Sequence, residues 1–234
     1  LNNKHVFEIG PGKGALTEEI LKKKPKSLTL IEKDCFFSKE LRKKYNKNKR
    51  VIIFNEDILK FNLEKKIEKD AVIIGNLPYN ISSQILVKII KFKKKLPNFS
   101  KIIFMFQKEM ADRIVGKFGT SKYGRLSILT NFKLNIIDKF NVSPNCFWPK
   151  PKILSTVITF VPKKNILYNI KNIDNLEKIT NVLFSNKRKM INKKIKNIFK
   201  DNEYKNIIKL DLNLRPSDLK PEQYYRITEL FETI

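Results

Sequence analysis

The sequence predicts an α/β protein, with a mostly parallel β-sheet that has an antiparallel edge strand and with a small helical domain at the C-terminus. Short apolar runs alternate with amphipathic stretches of helical length over the first two-thirds of the 234 residues, as in βαβ units. A proline-rich turn then joins two more apolar runs, which is typical of an antiparallel pair at a sheet edge. After Pro162 the pattern becomes helical and basic.

Each element follows from the spacing of apolar residues. The predicted strands are His5–Ile9, Leu28–Ile31, Val51–Phe54, Ala71–Gly75, Ile102–Phe106, Ile136–Val142 and Thr156–Val161. The predicted helices are Lys13–Lys24, Phe36–Tyr45, Ser82–Lys93, Lys108–Val115, Leu176–Phe199 and Tyr224–Phe231. Right-handed crossovers place the carboxyl ends of parallel strands along one edge, where ligands of such sheets bind.

Two domains are predicted. Residues 1–164 form the sheet and the helices that flank it, and residues 165–234 form a small helical domain. The polar, irregular segment Asn165–Asp174 favours a linker at this boundary. The second domain has an apolar helical stripe surrounded by basic residues, among them Lys187, Arg188, Lys189, Lys193 and Lys194.

The charge favours a polyanionic partner. Lys and Arg total 49 against 23 Asp and Glu, a net charge of +26, and neutralised phosphates release counterions on binding. The alternative is the codon usage of an AT-rich genome, because Lys greatly outnumbers Arg. We attribute part of the charge to each cause.

Composition excludes several other classes. The two cysteines, Cys35 and Cys146, are too few and too far apart for a disulfide framework or a zinc knuckle. The single histidine, His5, precedes an apolar strand, which favours a structural role. No apolar run approaches the roughly 18–20 residues of a membrane span and no signal peptide is evident, so we expect a cytoplasmic protein without membrane or metal. Because the chain begins at Leu1, we expect that it lacks an N-terminal segment.

A glycine-rich loop follows the first strand and opens the first helix. It runs from Glu8 to Gly14 as Glu-Ile-Gly-Pro-Gly-Lys-Gly. Glycine permits a tight turn and a close approach of the backbone to a ligand. Gly10, Gly12 and Ala15 also match a dinucleotide fingerprint, so the loop alone does not separate a dinucleotide from S-adenosylmethionine.

Two carboxylates follow the next two strands. Glu32 lies 22 residues after Gly10, where an acidic side chain can accept both ribose hydroxyls of a nucleoside. Asp57 ends the third strand, and its carboxylate or the neighbouring backbone can contact an adenine edge. A solvated loop charge explains either residue alone, but polar ligands at three successive strand ends would be an improbable coincidence.

The most specific motif, Asn76-Leu77-Pro78-Tyr79, follows the fourth strand. An adenine amine is a poor nucleophile because its lone pair is delocalised into the ring. Two acceptors for its hydrogens, the Asn76 side-chain oxygen and the carbonyl of Leu77 or Pro78, would favour a tetrahedral nitrogen aimed at a methyl sulfonium. Pro78 stiffens the turn, and Tyr79 offers a face for an extruded base. The alternative is a plain Asn-x-Pro turn with a core tyrosine.

The proline-rich turn Ser143–Pro151 carries the last candidates. Phe147 would close the second side of a base sandwich, and Trp148 would pack or contact RNA. Aromatic residues between prolines are also often structural, so the turn by itself leaves both interpretations open.

Together these residues resemble the ribosomal RNA adenine dimethyltransferase family over nearly the whole chain. The matching segments are Glu8–Gly14, Glu32, Asp57, Gly75–Ser83, Gln107–Arg113, Tyr123–Ser127, Phe147–Ser155 and Leu214–Leu219. The Tyr-Gly-Arg-Leu-Ser string and the Leu of Asn-Leu-Pro-Tyr are similar to the KsgA branch rather than to the erythromycin-resistance methylases. The family's Gln-x-Phe-Leu segment, which precedes the first strand and walls the cofactor pocket, is not in this sequence, and without it we expect weaker cofactor binding.

The resemblance implies a Rossmann-like class I methyltransferase sheet and S-adenosylmethionine as the cofactor. It implies dimethylation of two adjacent adenines in a hairpin near the 3′ end of small-subunit rRNA, with a role in assembly of the subunit. The partner is then an immature small ribosomal subunit, and we expect a monomer.

The resemblance also assigns roles to residues. Glu32 would hold the cofactor ribose, Asp57 would hold the cofactor adenine, and Tyr79 and Phe147 would stack the target base. The catalytic set is Asn76, Leu77, Pro78, Tyr79 and Phe147. The cofactor set is Glu8, Gly10, Gly12, Glu32, Lys33, Asp57, Ile58 and Asn76. The RNA-binding set is Arg125, Lys187, Arg188, Lys189, Lys193 and Lys194.

Three alternatives remain open. The first is a resistance-type methylase of large-subunit rRNA, and the second is a non-catalytic ribosome-assembly or RNA-binding factor that has kept the fold. A dinucleotide oxidoreductase is more distant, because it leaves Asn76–Tyr79, the charge and the Phe147 turn unexplained.

Overall fold

A seven-stranded β-sheet flanked by helices forms the framework. The structure, a computed structural model, describes residues 1–93, 97–147, 150, 152–199 and 210–233. The strands are β1 His5–Ile9, β2 Ser27–Glu32, β3 Val51–Asn55, β4 Ala71–Asn76, β5 Phe99–Gln107, β6 Leu134–Val142 and β7 Ser155–Pro162. The helices are α1 Ala15–Lys22, α2 Cys35–Tyr45, α3 Leu63–Lys66, α4 Ser82–Ile90, α5 Lys108–Ile114, α6 Arg125–Lys133, α7 Ile173–Phe184, α8 Asn192–Ile198 and α9 Pro221–Phe231.

The strand order is β3-β2-β1-β4-β5-β7-β6. Strands β1 to β5 pair in parallel, whereas β7 runs antiparallel to β5. This arrangement confirms the predicted, mostly parallel sheet with an antiparallel edge. The chain moves outward from β1 through β2 to β3 and then crosses to β4 on the other side of β1. The switch point between β1 and β4 is where open α/β sheets bind their ligands.

Helices α1 and α2 cover one face of the sheet. Helix α1 buries Thr17 and Ile20 and exposes Glu18 and Glu19, as the spacing of 3.6 residues per turn requires. The shared apolar cluster consists of Val6, Ile20, Leu28, Leu30, Leu41, Val72 and Ile74. Each such side chain contributes on the order of 1.5–3 kcal/mol when fully buried. Packing therefore fixes the strand ends from which the site is built.

The chain divides into two compact units, and the division differs from the predicted boundary at residue 164. The first unit comprises Leu1–Ala111 and Asn135–Pro162, and the second comprises Asp112–Leu134 and Lys163–Ile234. Helix α6 belongs to the second unit because it packs on α7 and α9, and Tyr225 there donates its hydroxyl to the Ile128 carbonyl at 3.0 Å.

The predicted long helix Leu176–Phe199 is wrong. The structure divides it into α7 and α8, separated by residues 185–191. In this connection the Ile191 N–H donates to the Leu214 carbonyl at 3.0 Å, so a contact distant in sequence replaces a helical hydrogen bond.

Candidate active site

The glycine loop after β1 leaves open space beside its backbone. Gly10, Gly12 and Gly14 have φ values of +66°, +55° and +84°, a region that residues with a Cβ rarely adopt. The Gly10 N–H donates to the Ile31 carbonyl at 2.9 Å, which fixes the loop to β2. A Cβ built on Gly10 or Gly12 would have no atom within 4 Å. The loop therefore combines a fixed backbone with room for a ligand.

Glu32, at the end of β2, holds a buried carboxylate next to this loop. Its Oε2 accepts the Gly12 N–H at 2.9 Å, and its Oε1 accepts the Asp34 N–H at 2.8 Å. Each carboxylate oxygen has a further lone pair for another donor. The two backbone contacts thus orient a carboxylate that can accept two hydroxyl groups of a ribose.

Glu8 is a second buried carboxyl group, one residue before the end of β1. Its Oε2 accepts a hydrogen bond from the Thr17 hydroxyl at 2.6 Å. Burial raises the pKa of Glu8 to about 7, the hydrogen bond from Thr17 opposes this shift, and the charge of Glu32 adds to it. The switch point therefore places the oriented Glu32 side chain close to a second carboxyl group, Glu8, whose pKa is raised.

We expect Glu8→Gln to stabilise the protein at high pH relative to the wild type. The raised pKa means that the folded state binds more protons than the unfolded state between the ordinary carboxyl pKa and about 7, so wild-type stability falls as the pH rises through this window. At about 1.36 kcal/mol per pKa unit, ionisation of Glu8 lowers the free energy of unfolding of the wild type by about 3 kcal/mol at pH values above about 7. Gln retains an acceptor for Thr17. Urea unfolding from pH 5 to 8 measures the difference, and two parallel stability curves would contradict the prediction.

Asp57 follows β3, and both of its carboxylate oxygens have partners. Oδ1 accepts the Leu59 N–H at 2.9 Å, and Oδ2 lies 2.9 Å from the Lys33 ammonium. The backbone hydrogen bond from Leu59 and then the one from Lys33 lower the pKa of Asp57. Ile58 is buried beside it. The ends of β2 and β3 are thus joined by an ion pair, with an anionic acceptor and an apolar side chain in adjacent positions.

The Asn76–Tyr79 turn follows β4, next to β1 in the sheet. Asn76 is exposed at the strand end, opposite Met105 of β5. The Pro78 carbonyl accepts the N–H groups of Ile81 and Ser82, both at 3.1 Å, and these bonds use both of its lone pairs. Of the two carbonyls that the sequence left open as amine acceptors, this geometry favours Leu77.

Tyr79 is held from two sides. Its hydroxyl lies 2.7 Å from Oγ of Ser155, the buried first residue of β7. Its carbonyl accepts the Ser82 hydroxyl at 3.1 Å. These contacts fix the position of the ring relative to β7 and α4.

We expect Gly75→Ala to displace the turn. A Cβ at residue 75 would lie 2.6 Å from Leu77 Cδ2 and 3.1 Å from the Ile9 carbonyl oxygen, so the buried Leu77 has to move. Overpacking of this kind costs on the order of 1–3 kcal/mol. Thermal unfolding and a methylation assay should both show a loss. The matched control is Gly124→Ala, where φ is 176° and a Cβ would only make an ordinary contact, 3.9 Å from Phe184 Cε1, and equal activity losses in both variants would contradict the argument.

Phe147 lies in the connection that leads into β7. It follows a 3₁₀ turn, Pro144–Cys146, is partly exposed, and donates its N–H to the Pro144 carbonyl at 3.2 Å. Because β7 is antiparallel, its first residue Ser155 pairs with Gln107 at the carboxyl end of β5. The connection therefore ends at the sheet edge that carries the turn after β4. Trp148 lies outside the described residues.

In the second unit, the side chain of Lys194 forms hydrogen bonds to the protein backbone. Its ammonium donates to the carbonyls of Leu183 at 2.6 Å and Asn186 at 3.2 Å, which caps the end of α7. Burial lowers the pKa of Lys194, and the charge of Lys189 acts in the same direction. Lys194 thus has a structural role in addition to the predicted contact with RNA.

Of the other predicted RNA-binding side chains, that of Arg125 is half-buried and the rest are exposed. Arg125 Nη2 lies 4.0 Å from Glu177 Oε1, and the Lys187 ammonium donates to the Ser121 carbonyl at 3.3 Å. Three more are exposed: Arg188, Lys189 and Lys193.

The part of the chain that the structure describes has neither a candidate metal site nor a membrane-spanning helix. Outside positions 94–96, 148–149, 151, 200–209 and 234, no group of three or more His, Cys, Asp or Glu side chains is arranged to hold a metal ion. Among the described residues, no helix has the length and apolarity needed to cross a membrane.

Among the partners of the site residues that were not predicted are Thr17, Leu59 and Ser155. A polar residue on the apolar face of α1 is a signal that could have indicated Thr17. Leu59 acts through its backbone amide, so its side-chain type does not identify it. The hydroxyl of Ser155 contacts Tyr79 at a separation of 76 residues, which the sequence pattern does not reveal.

Comparison with known proteins decides the family. A family model described as ribosomal RNA adenine dimethylase matches residues 1–233. The chain belongs to the ribosomal RNA adenine dimethylase family. It is 43% identical to the ribosomal RNA small subunit methyltransferase A of Pelagibacter ubique, over 100% of this chain and 88% of that protein. It is 42% identical to the Malacoplasma penetrans protein of the same name, over 95% and 80%.

Solved structures agree with this assignment. A dimethyladenosine transferase from Plasmodium falciparum superposes with a TM-score of 0.79 at 25% identity, over 100% of this chain and 92% of that one. The 23S rRNA methyltransferase ErmE gives a TM-score of 0.67 at 22% identity, over 99% and 93%, which shows the shared fold. As a dimethylase of this family, the chain is an S-adenosylmethionine-dependent rRNA adenine methyltransferase with a class I methyltransferase sheet.

The residues at the switch point fit this cofactor. The Glu32 carboxylate is oriented by two backbone amides and retains lone pairs for a diol. The space beside Gly10 and Gly12 accommodates a ligand against the backbone. Asp57 and the buried Ile58 offer an acceptor and an apolar surface to an adenine ring.

Proposed function

We propose that this dimethylase methylates the exocyclic amines of two adjacent adenines in a hairpin near the 3′ end of small-subunit rRNA, during assembly of the subunit in the cytoplasm, and that it acts as a monomer. The observation that carries the proposal is the position of Asn76 and Leu77 at the end of β4, the strand that pairs with β1, so that this turn lies at the same sheet edge as the glycine loop. The relatives that share up to 43% of its sequence bear the name ribosomal RNA small subunit methyltransferase A.

The chain's own groups prepare the amine. The Asn76 side-chain oxygen and the Leu77 carbonyl each accept one N–H of the adenine, which withdraws its lone pair from conjugation with the ring and orients it. When bound, S-adenosylmethionine supplies an electrophilic methyl group on a sulfonium. After the first methylation only one N–H remains, so the second round requires only one of the two acceptors. The proton that the nitrogen loses passes to solvent, and no histidine is needed.

Base stacking positions the substrate. Tyr79, anchored through Ser155, supplies one aromatic face, and Phe147 supplies the second. Extrusion of the base costs a few kcal/mol of lost stacking, and contact with two aromatic rings offsets it. The cofactor is held by Glu32 at its ribose and by Asp57 and Ile58 at its adenine, with Lys33 orienting Asp57.

Labelled cofactor with two substrates tests the proposal. Unmethylated small subunits and protein-free large-subunit rRNA are incubated separately with the enzyme, and the modified nucleotides are mapped. We expect label on two adjacent adenines of the small-subunit RNA. Label confined to large-subunit rRNA would indicate a resistance-type methylase, and binding of both RNAs without label would indicate a non-catalytic assembly factor. Either outcome overturns the proposal.

The salt dependence of RNA affinity tests how much of the +26 charge contacts RNA phosphates. We expect affinity for small subunits to fall steeply with salt, because phosphate contacts release counterions. The double variant Arg188→Gln/Lys189→Gln should reduce the slope of log affinity against log salt by about 1.4–1.8. Lys47→Gln/Lys49→Gln, an equal charge change on exposed residues of the first unit, serves as the control. Equal slopes for both doubles, or a flat wild-type response, would assign the charge to codon usage.

A further inference from the structure

An exposed phenylalanine projects from the loop between α5 and α6. The side chain of Phe118 is 43% exposed, whereas the neighbouring Tyr123 is buried and donates its hydroxyl to the Leu219 carbonyl at 2.8 Å. The two rings meet edge to face with centroids 5.7 Å apart. Phe118 therefore rests on the core of the second unit and does not enter it.

The loop that carries Phe118 is tightly closed. The Thr120 N–H and hydroxyl both donate to the Lys117 carbonyl, at 3.1 and 2.7 Å. Its ends touch, since a Cβ on Gly116 would lie 2.5 Å from the Lys122 carbonyl oxygen. Gly119 supplies the left-handed turn with φ +81°. The aromatic ring is thus presented on a preorganised backbone, which lowers the entropic cost of binding.

Positive charge surrounds this ring. Lys117 and Lys122 flank it and are exposed, and Lys187 reaches the loop through the Ser121 carbonyl. No Asp or Glu occurs in residues 113–137 or 185–200, the two sequence segments involved. Of the acidic groups in the second unit, Glu177 pairs with Arg125, and Glu222 raises the pKa of Tyr123 after the larger effect of burial. Asp112 precedes the loop on α5.

We propose that Phe118 stacks on an unpaired base of the rRNA substrate while Lys117 and Lys122 contact the adjoining phosphates. An exposed aromatic ring between cations on a rigid loop matches the chemistry of single-stranded nucleic acid, in which a base face and a phosphate recur at every nucleotide. The inference rests on the proposed function, which makes RNA the partner, and it adds a docking contact remote in sequence from the catalytic turns.

Substitutions at Phe118 test this contact. Binding to unmethylated small subunits is measured for Phe118→Ala, Phe118→Leu and Phe118→Trp. We expect Ala and Leu to weaken affinity about 5- to 100-fold, as for the loss of one base stack, and Trp to retain it. The salt slope should not change, because no charge is removed. For Lys117→Gln/Lys122→Gln we expect a slope reduced by about 1.4–1.8.

Controls separate stacking from other roles. Phe140, 53% exposed in the first unit, gives the matched variant Phe140→Ala, which should bind like the wild type. Wild-type affinity in Phe118→Ala, or full rescue by Leu, would overturn the inference. Thermal unfolding verifies that each variant is folded. Adenine methylation by the wild type is mapped in parallel, so a failed docking contact is distinguishable from a failed function.

Discussion

Asn76→Ala should lower the rate of methyl transfer by about 10²–10³-fold, the loss found when one preorganised polar partner is removed from a reaction centre. Asn76 is exposed at the end of β4 and lies outside the sheet core, so we expect little change in the free energy of unfolding. Affinity for small subunits should also persist, because the basic residues of the second unit are intact. Single-turnover methylation with labelled cofactor, beside a filter-binding titration, separates the two effects.

Two further variants sharpen this result. Asn76→Asp keeps an acceptor oxygen at the same reach and should retain more activity than Asn76→Ala. Asn80→Ala makes the same chemical change at an exposed position four residues later and should leave the rate unchanged. Turnover in Asn76→Ala equal to that of Asn80→Ala would show that the amine is oriented by other groups.

Glu32→Ala should weaken binding of S-adenosylhomocysteine by at least about 100-fold and destabilise the fold as well. The substitution removes the acceptor of two ribose hydroxyls, and charge-assisted hydrogen bonds contribute about 1.5–3 kcal/mol each. It also leaves the Gly12 and Asp34 N–H groups without their carboxylate partner. Both hydrogen bonds are only part-buried, so water can solvate these amides, and the loss of stability should lie below the roughly 1–3 kcal/mol of a fully buried unpaired amide. Calorimetric titration and urea unfolding measure the two losses.

The matched control for Glu32 is Glu40→Ala. Glu40 lies on α2, exposed and paired with Lys43 at 2.9 Å, and surface pairs of this kind contribute less than about 1 kcal/mol. Glu32→Gln retains one acceptor oxygen but turns an amide donor toward a backbone N–H, so its affinity should lie between those of the wild type and Glu32→Ala. Unchanged affinity in Glu32→Ala would place the ribose elsewhere.

The sheet could be predicted from the sequence because its strands are short apolar runs that end in polar residues or glycine. In the second unit the helix that ends at Phe231 could be predicted, but α6 and the division between α7 and α8 could not, for two reasons. Helix α6 buries Ser127, Ile128, Leu129, Thr130 and Phe132, so it has no single apolar face to detect. The break between α7 and α8 does not interrupt the spacing of Phe184, Ile191 and Ile195, and only the contact with Leu214 reveals it.

The candidate site likewise contains some features that the sequence predicts and others that it does not. Carboxylates and the Asn76–Tyr79 turn were predictable because they follow strands whose carboxyl ends share one edge. The contacts that orient them were not, since they involve backbone groups such as the Gly12 N–H and the Pro78 carbonyl, whose partners depend on tertiary structure. The roles of the individual residues stay predictions, and the variants above test them.

The reversed direction of β7 has a consequence for how substrate choice can change. A parallel seventh strand would begin at the opposite edge, roughly 20 Å away for six residues at about 3.3 Å each. Reversal instead brings the connection that carries Phe147 to the reacting edge while leaving β1, β2 and β3 untouched. We therefore expect insertions or deletions in that connection to change the RNA preference and to leave cofactor affinity unchanged. A common scaffold can serve different RNAs in this way.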